Sequence, residues 1–138
     1  MKASIIIPAL NEAAHLEGLF ADMEKQTFKD YEVIVADAGS KDRTKEVVES
    51  HNACLVKGGM PAAGRNAGGR AAGGELLFFF DADVRLPRTF LEKAISEMEK
   101  RKIDIATCEF RPMSNEGIDR IIHHAANLFV KMNQFTDP

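Results

Sequence analysis

Apolar positions fall along the chain in two ways: short unbroken runs, and longer stretches spaced three and four apart. Segments 4–8 (SIIIP), 31–36 (YEVIVA), 53–56 (ACLV), 76–80 (LLFFF) and 103–110 (IDIATCEF) read as buried strands. Between them the period is helical. Segment 11–25 carries Leu16, Leu19, Phe20 and Met23 on one face, with Asn11 as its expected N-cap. Segment 40–50 turns Val47 and Val48 inward and is expected to be capped by Ser40. A stretch of small residues occupies 62–72. Pro87 suits the first turn of a helix whose face holds Phe90, Leu91, Ala94, Ile95 and Met98. A last amphipathic helix carries Ile118, Ile121, Ile122, Ala125, Leu128, Phe129 and Met132. Strands that alternate with helices and are apolar on both faces predict an α/β fold, a mainly parallel open sheet flanked by helices.

Composition narrows this little. The 138 residues fit one domain with a real core, and a formal charge of −3 argues against a broad nucleic-acid surface. Cys54 and Cys108 both sit in apolar surroundings, so they read as core thiols of a protein kept in a reducing compartment. The N-terminal MKASIIIPALNE meets Asn11 and Glu12 too early for a signal peptide, and no apolar run is long enough to span a membrane. A cytoplasmic location, at most at the inner membrane face, is the expectation.

In an open parallel sheet, ligands bind beyond the C-terminal ends of the strands. The residues there are Ala9 to Glu12, Asp37 to Ser40, Gly58-Gly59, and Asp81-Ala82-Asp83. If the strand extends to Asp83, Asp81 and Asp83 project to one face. Two carboxylates so close disfavour each other unless a cation joins them, and Mg2+ or Mn2+ commonly links carboxylates to substrate phosphates. Asp37 ends another strand, and three acids converging on one edge strengthen that view over simple turn capping. The segment GGMPAAGRNAGGRAAGG holds neither a Walker loop nor a dinucleotide fingerprint. Gly68 and Gly69 would each cost a helix about 1 kcal/mol relative to alanine, so close approach of backbone to sheet or ligand is expected there. Arg65 carries a fork suited to phosphate or carboxylate; Arg65 and Arg70 could equally be solvated.

SIIIPALNE, YEVIVADAGSKDRT, GRNAGG and GELLFFFDADVRLP, in this order and spacing, resemble the family-2 glycosyltransferases of GT-A fold. The resemblance implies a Rossmann-like nucleotide-binding domain, truncated to the donor-binding part over residues 1–138, with the acceptor part missing. It implies that Pro8, Ala9, Asn11 and Glu12 lie under a nucleotide and Asp37 near its base. Arg65 would brace the acidic crevice or the nucleotide, Asp81 and Ala82 would lie by the ribose and diphosphate, and Asp83 would hold Mn2+ or Mg2+. The implied partners are a nucleoside-diphosphate sugar and a saccharide or lipid-linked acceptor.

Ala38 stands where many relatives carry a second acid, and Val84 where many carry a further one. Inverting transfer needs a base to deprotonate the acceptor hydroxyl, and none is evident: Glu109 reads as a rim residue, and Glu116, Asp119 and Asp137 as surface, cap or terminal acids. His123 and His124 are adjacent on a helix and cannot readily share a metal; His51 is no better placed, and His15 is expected to be exposed. The wide apolar face of the last helix points to self-association or membrane contact. Two other readings remain: a non-catalytic nucleotide-binding module, and a haloacid-dehalogenase-type phosphatase, whose D-x-D motif usually opens its domain and is not followed by a residue like Arg85.

Overall fold

The computed structural model describes residues 3–108. The chain divides into two compact units, Met1–Ser96 and Glu97–Pro138. The first contains a four-stranded sheet of order β3-β2-β1-β4, built from β1 (Ala3–Ala9), β2 (Tyr31–Asp37), β3 (Cys54–Lys57) and β4 (Leu76–Phe79). Every pairing is parallel, with Ala9 opposite Asp37, Asp37 opposite Lys57, and Ile6 opposite Phe79. All four C-terminal ends therefore share one edge. The connecting helices are α1 (Ala13–Glu24), α2 (Thr44–Ser50) and α3 (Pro61–Ala71), and α4 (Phe90–Arg101) follows β4.

The apolar runs become β1 and β2 because both sheet faces are covered there: Ile5, Ile6, Ile7, Ile34 and Val35 are fully buried. One face packs against Leu16, Leu19, Phe20 and Met23 of α1, Val47 and Val48 of α2, and Leu91. The other is covered by α3, whose glycines let it sit close. Gly64 faces Pro8 and Ala36, Gly68 lies directly on Ile6, and both are buried. Their i, i+4 spacing puts a bare groove along one face of the helix. The cost of glycine to the helix is thus offset by packing, as expected for Gly68. Gly69 only approaches the Phe79 ring.

Four expectations need correction. Asn11 does not cap α1; its backbone is left-handed (φ 57°), and Glu12 occupies the cap position. Ser40 does not cap α2, which begins at Thr44. Segment 103–108 forms no strand. An apolar run becomes a strand only where a neighbour takes its backbone groups, and no described strand pairs with it; the Ile103 N–H instead closes onto the Met98 carbonyl (3.1 Å). Cys54 and Cys108 are exposed, not core thiols: Cys54 opens the outer strand β3, where no further strand among the described residues covers it. Glu109, Glu116, Asp119, His123, His124, Asp137 and the last amphipathic helix lie outside the described residues. Among the described residues, no helix is long and apolar enough to cross a membrane.

Candidate functional site at the C-terminal edge of the sheet

Four loops leave this edge, and long-range hydrogen bonds fasten two of them together. The Asn11 N–H donates to Ser40 Oγ (2.8 Å), and the Lys41 N–H donates to Asn11 Oδ1 (2.8 Å). The Glu12 N–H donates to Thr44 Oγ1 (3.0 Å) and the Ala13 N–H to Asp42 Oδ2 (3.1 Å). Thr44 closes the bracket by donating its own N–H (3.0 Å) and hydroxyl (2.5 Å) to Asp42 Oδ1. The first amides of α1 are therefore capped from the β2–α2 loop rather than from their own sequence. Asn11 and Ser40 are caps in composition only; each serves the neighbouring loop. Thr44's hydroxyl, with backbone donors, holds the Asp42 carboxyl below its ordinary value.

Asp37 is 7% exposed and turns its carboxylate into its own loop. It accepts the N–H groups of Gly39 (3.2 Å) and Ser40 (3.1 Å), with Lys45 Nζ 3.8 Å away. Gly39 supports this turn with φ 98°, a conformation open to glycine. β1 separates β2 from β4, so the ends of those strands are roughly 10 Å apart. Asp37 thus shares the edge with Asp81 and Asp83 without joining them in one cluster.

β4 does not stay extended as far as Asp83. Its ladder ends where the Phe80 N–H reaches the Ile6 carbonyl (3.0 Å). The next β1 residue facing that side is Pro8, which has no N–H to donate. Residues 81–84 then form a turn closed by the Val84 N–H on the Asp81 carbonyl (3.4 Å), with the Ala82 methyl buried in the core. Asp81 pairs with Arg65 Nη2 (2.5 Å), which braces this acid. Asp83 is exposed, and among the described residues its carboxylate makes no hydrogen bond or ion pair.

Pro8 is half-buried beneath Gly64, and Ala9 is buried, its carbonyl accepting the Ala38 N–H (2.8 Å). Glu12 binds His15 Nδ1 (2.6 Å). That hydrogen bond holds the imidazole above its ordinary value, and the charge of Asp83 acts in the same sense. His15 is exposed, as expected, yet it lies in the field of both loops. Its i, i+3 spacing from Glu12 was the available signal. Asp42 and Thr44 bond each other locally, but no local window shows that they cap Glu12 and Ala13, about thirty residues away.

The profile of glycosyl transferase family 2 matches residues 4–137. The uncharacterized glycosyltransferase EpsJ of Bacillus subtilis (strain 168) is 30% identical over 121 residues, which is 82% of this chain and 35% of EpsJ. The crystal structure of Staphylococcus aureus TarS 1-349 in complex with UDP-GlcNAc aligns with a TM-score of 0.76 and 27% identity, over 85% of this chain and 36% of that one. The mannosyltransferase PcManGT of Pyrobaculum calidifontis, in complex with GDP-Man and Mn2+, aligns with a TM-score of 0.62 and 27% identity, over 70% of this chain and 32% of that one. The chain spans about a third of the length of these relatives. Its parallel sheet and flanking helices are those of a GT-A glycosyltransferase, and with its profile match running nearly end to end, the chain belongs to glycosyl transferase family 2.

Proposed function

We propose that these residues form the donor side of a metal-dependent, inverting glycosyltransferase, which holds a nucleoside-diphosphate sugar over the C-terminal edge of the sheet. The observation that carries this is the exposed carboxylate of Asp83, which makes no hydrogen bond or ion pair among the described residues, set beside an Asp81 already paired with Arg65. Among the described residues, no three His, Cys, Asp or Glu side chains gather as a metal cage. A lone carboxylate still fits Mn2+ or Mg2+, which commonly take one or two protein carboxylates and complete their shell with substrate phosphates and water. The Mn2+ and GDP-Man of PcManGT, and the UDP-GlcNAc of TarS, support the same choice of ligands.

In this proposal Asp83 holds the cation, which supplies charge stabilisation to the departing diphosphate. Asp81 and the backbone of Ala82 face the ribose and diphosphate, with Arg65 fixing the Asp81 carboxylate. Pro8, Ala9, Asn11 and Glu12 form the floor under the nucleotide. Asp37 stiffens the turn next to the base through Gly39 and Ser40. Among the described residues no side chain is assigned as the base that deprotonates the acceptor hydroxyl, and the acceptor is proposed to be a saccharide or a lipid-linked one. The test is calorimetric titration of UDP, GDP, ADP and CDP with and without Mn2+. Binding strengthened by Mn2+ and lost in Asp83→Ala is expected; a Mn2+ effect that survives Asp83→Ala would remove the assignment.

A further inference from the structure

One stripe of α1 holds the segment that follows Asp83. Arg85 lies across Gly18, where a methyl group would stand 3.6 Å from the guanidinium. One turn on, the Asp22 carboxylate accepts Arg85 Nε (2.6 Å) and Nη2 (2.8 Å) together with the Leu86 N–H (3.1 Å). Just past the C-terminal end of α1, Gln26 donates to the Pro87 carbonyl (2.8 Å) and accepts the Leu91 N–H (3.1 Å). Asp22 and Gln26 are both buried. On the other side of Asp83, the Phe80 N–H is held by Ile6. Only residues 81–84 lie between these two anchors, and the buried Ala82 methyl pins their middle.

Mere attachment of a loop to a helix does not call for this arrangement. A buried carboxylate loses hydration, and apolar packing of similar volume often holds as well or better. The planar fork of Arg85 adds a fixed angle and register, which packing alone does not. We infer that Asp22, acting through Arg85, is a positioning residue that sets the Asp83 carboxylate for the cation and diphosphate. This rests on Asp83 being the cation-side residue.

The experiment measures the affinity of the full chain for whichever of UDP, GDP, ADP or CDP it binds best, with and without Mn2+. Asp22→Asn and Arg85→Lys are each expected to cut the Mn2+-induced gain about tenfold, as loss of an outer partner of a metal ligand commonly does, with less than about twofold change in the absence of Mn2+. Arg85→Lys keeps the charge and carries the test should Asp22→Asn not fold. A gain fully retained in these variants overturns the inference, as does equal weakening with and without Mn2+, which would mark a general loosening. Asp83→Ala separates the two levels. If it too retains the gain, the assignment of Asp83 falls and the inference with it. If it alone loses the gain, only the inference falls.

Discussion

Gly68 of α3 rests directly on Ile6 of β1, at a point where a methyl group would overlap the isoleucine side chain. Ile6 is fully buried and β-branched, so it has little room to yield. Gly68→Ala is expected to lose about 1–2 kcal/mol, because overpacking outweighs the gain in helix propensity. Gly69→Ala, whose new methyl would meet the Phe79 ring at 3.8 Å, is expected to gain up to about 1 kcal/mol. Urea unfolding of the two variants checks the opposite signs.

Arg65 and Asp81 should separate stability from binding. Their side chains are 38% and 64% exposed, so the pair contributes less than about 1 kcal/mol to folding. If Asp81 faces the donor, its orientation matters far more there. Arg65→Ala is expected to leave the melting temperature nearly unchanged and to weaken nucleoside-diphosphate binding about tenfold, the effect of losing one charge-assisted hydrogen bond. A thermal melt and a calorimetric titration on the same variant read both quantities.

The contrast between Gly68 and Asp42 shows what the sequence discloses. Strand runs such as IIIPA and VIVAD, and the face Leu16-Leu19-Phe20-Met23, are local patterns whose periods fix which side is buried. The glycines of α3 and the acids after β4 were visible for the same reason, since each breaks a local rule. The family resemblance puts Pro8 in the nucleotide floor, but its missing N–H also ends the β4 ladder, and that follows only once the strand order is known. Asn11 and Ser40 have cap chemistry and the right neighbours, yet each bonds a residue about thirty positions away. Asp22 looks like an ordinary helix acid until Arg85 arrives from sixty-three residues downstream. Such partners are chosen by tertiary packing, which no sequence window contains.

Thr44 offers a test of the bracket between the first two loops. It is fully buried, accepts the Glu12 N–H and donates to Asp42. Thr44→Val keeps the shape and removes both bonds, leaving the Glu12 amide without its acceptor. A loss of about 1–3 kcal/mol is expected for such an unsatisfied donor. Hydrogen exchange should localise it: the amides of Glu12 and Ala13 lose protection, whereas those of β1 change only with global stability.

Asp22 and His15 tie stability to pH with opposite signs. The hydrogen bonds from Arg85 hold the Asp22 carboxyl below its ordinary value, against the upward push of its burial. Its folded value lies below the unfolded one, so its contribution is fully present above about pH 4 and lost as pH falls through the folded value. His15 is held above its ordinary value, chiefly by its hydrogen bond to Glu12. Its contribution is fully present below about pH 6.5 and lost as pH rises through the folded value; full exposure keeps it small. Melts across a pH series should therefore show an acid limb that is shallower in Asp22→Asn, which starts from a lower plateau because Arg85 has lost its charged partner. His15→Gln should flatten the slight decline above about pH 6.5 and leave the acid limb as it is. Acid limbs of equal steepness in wild type and Asp22→Asn would mean that the Arg85 fork does not hold Asp22 ionised in the folded chain.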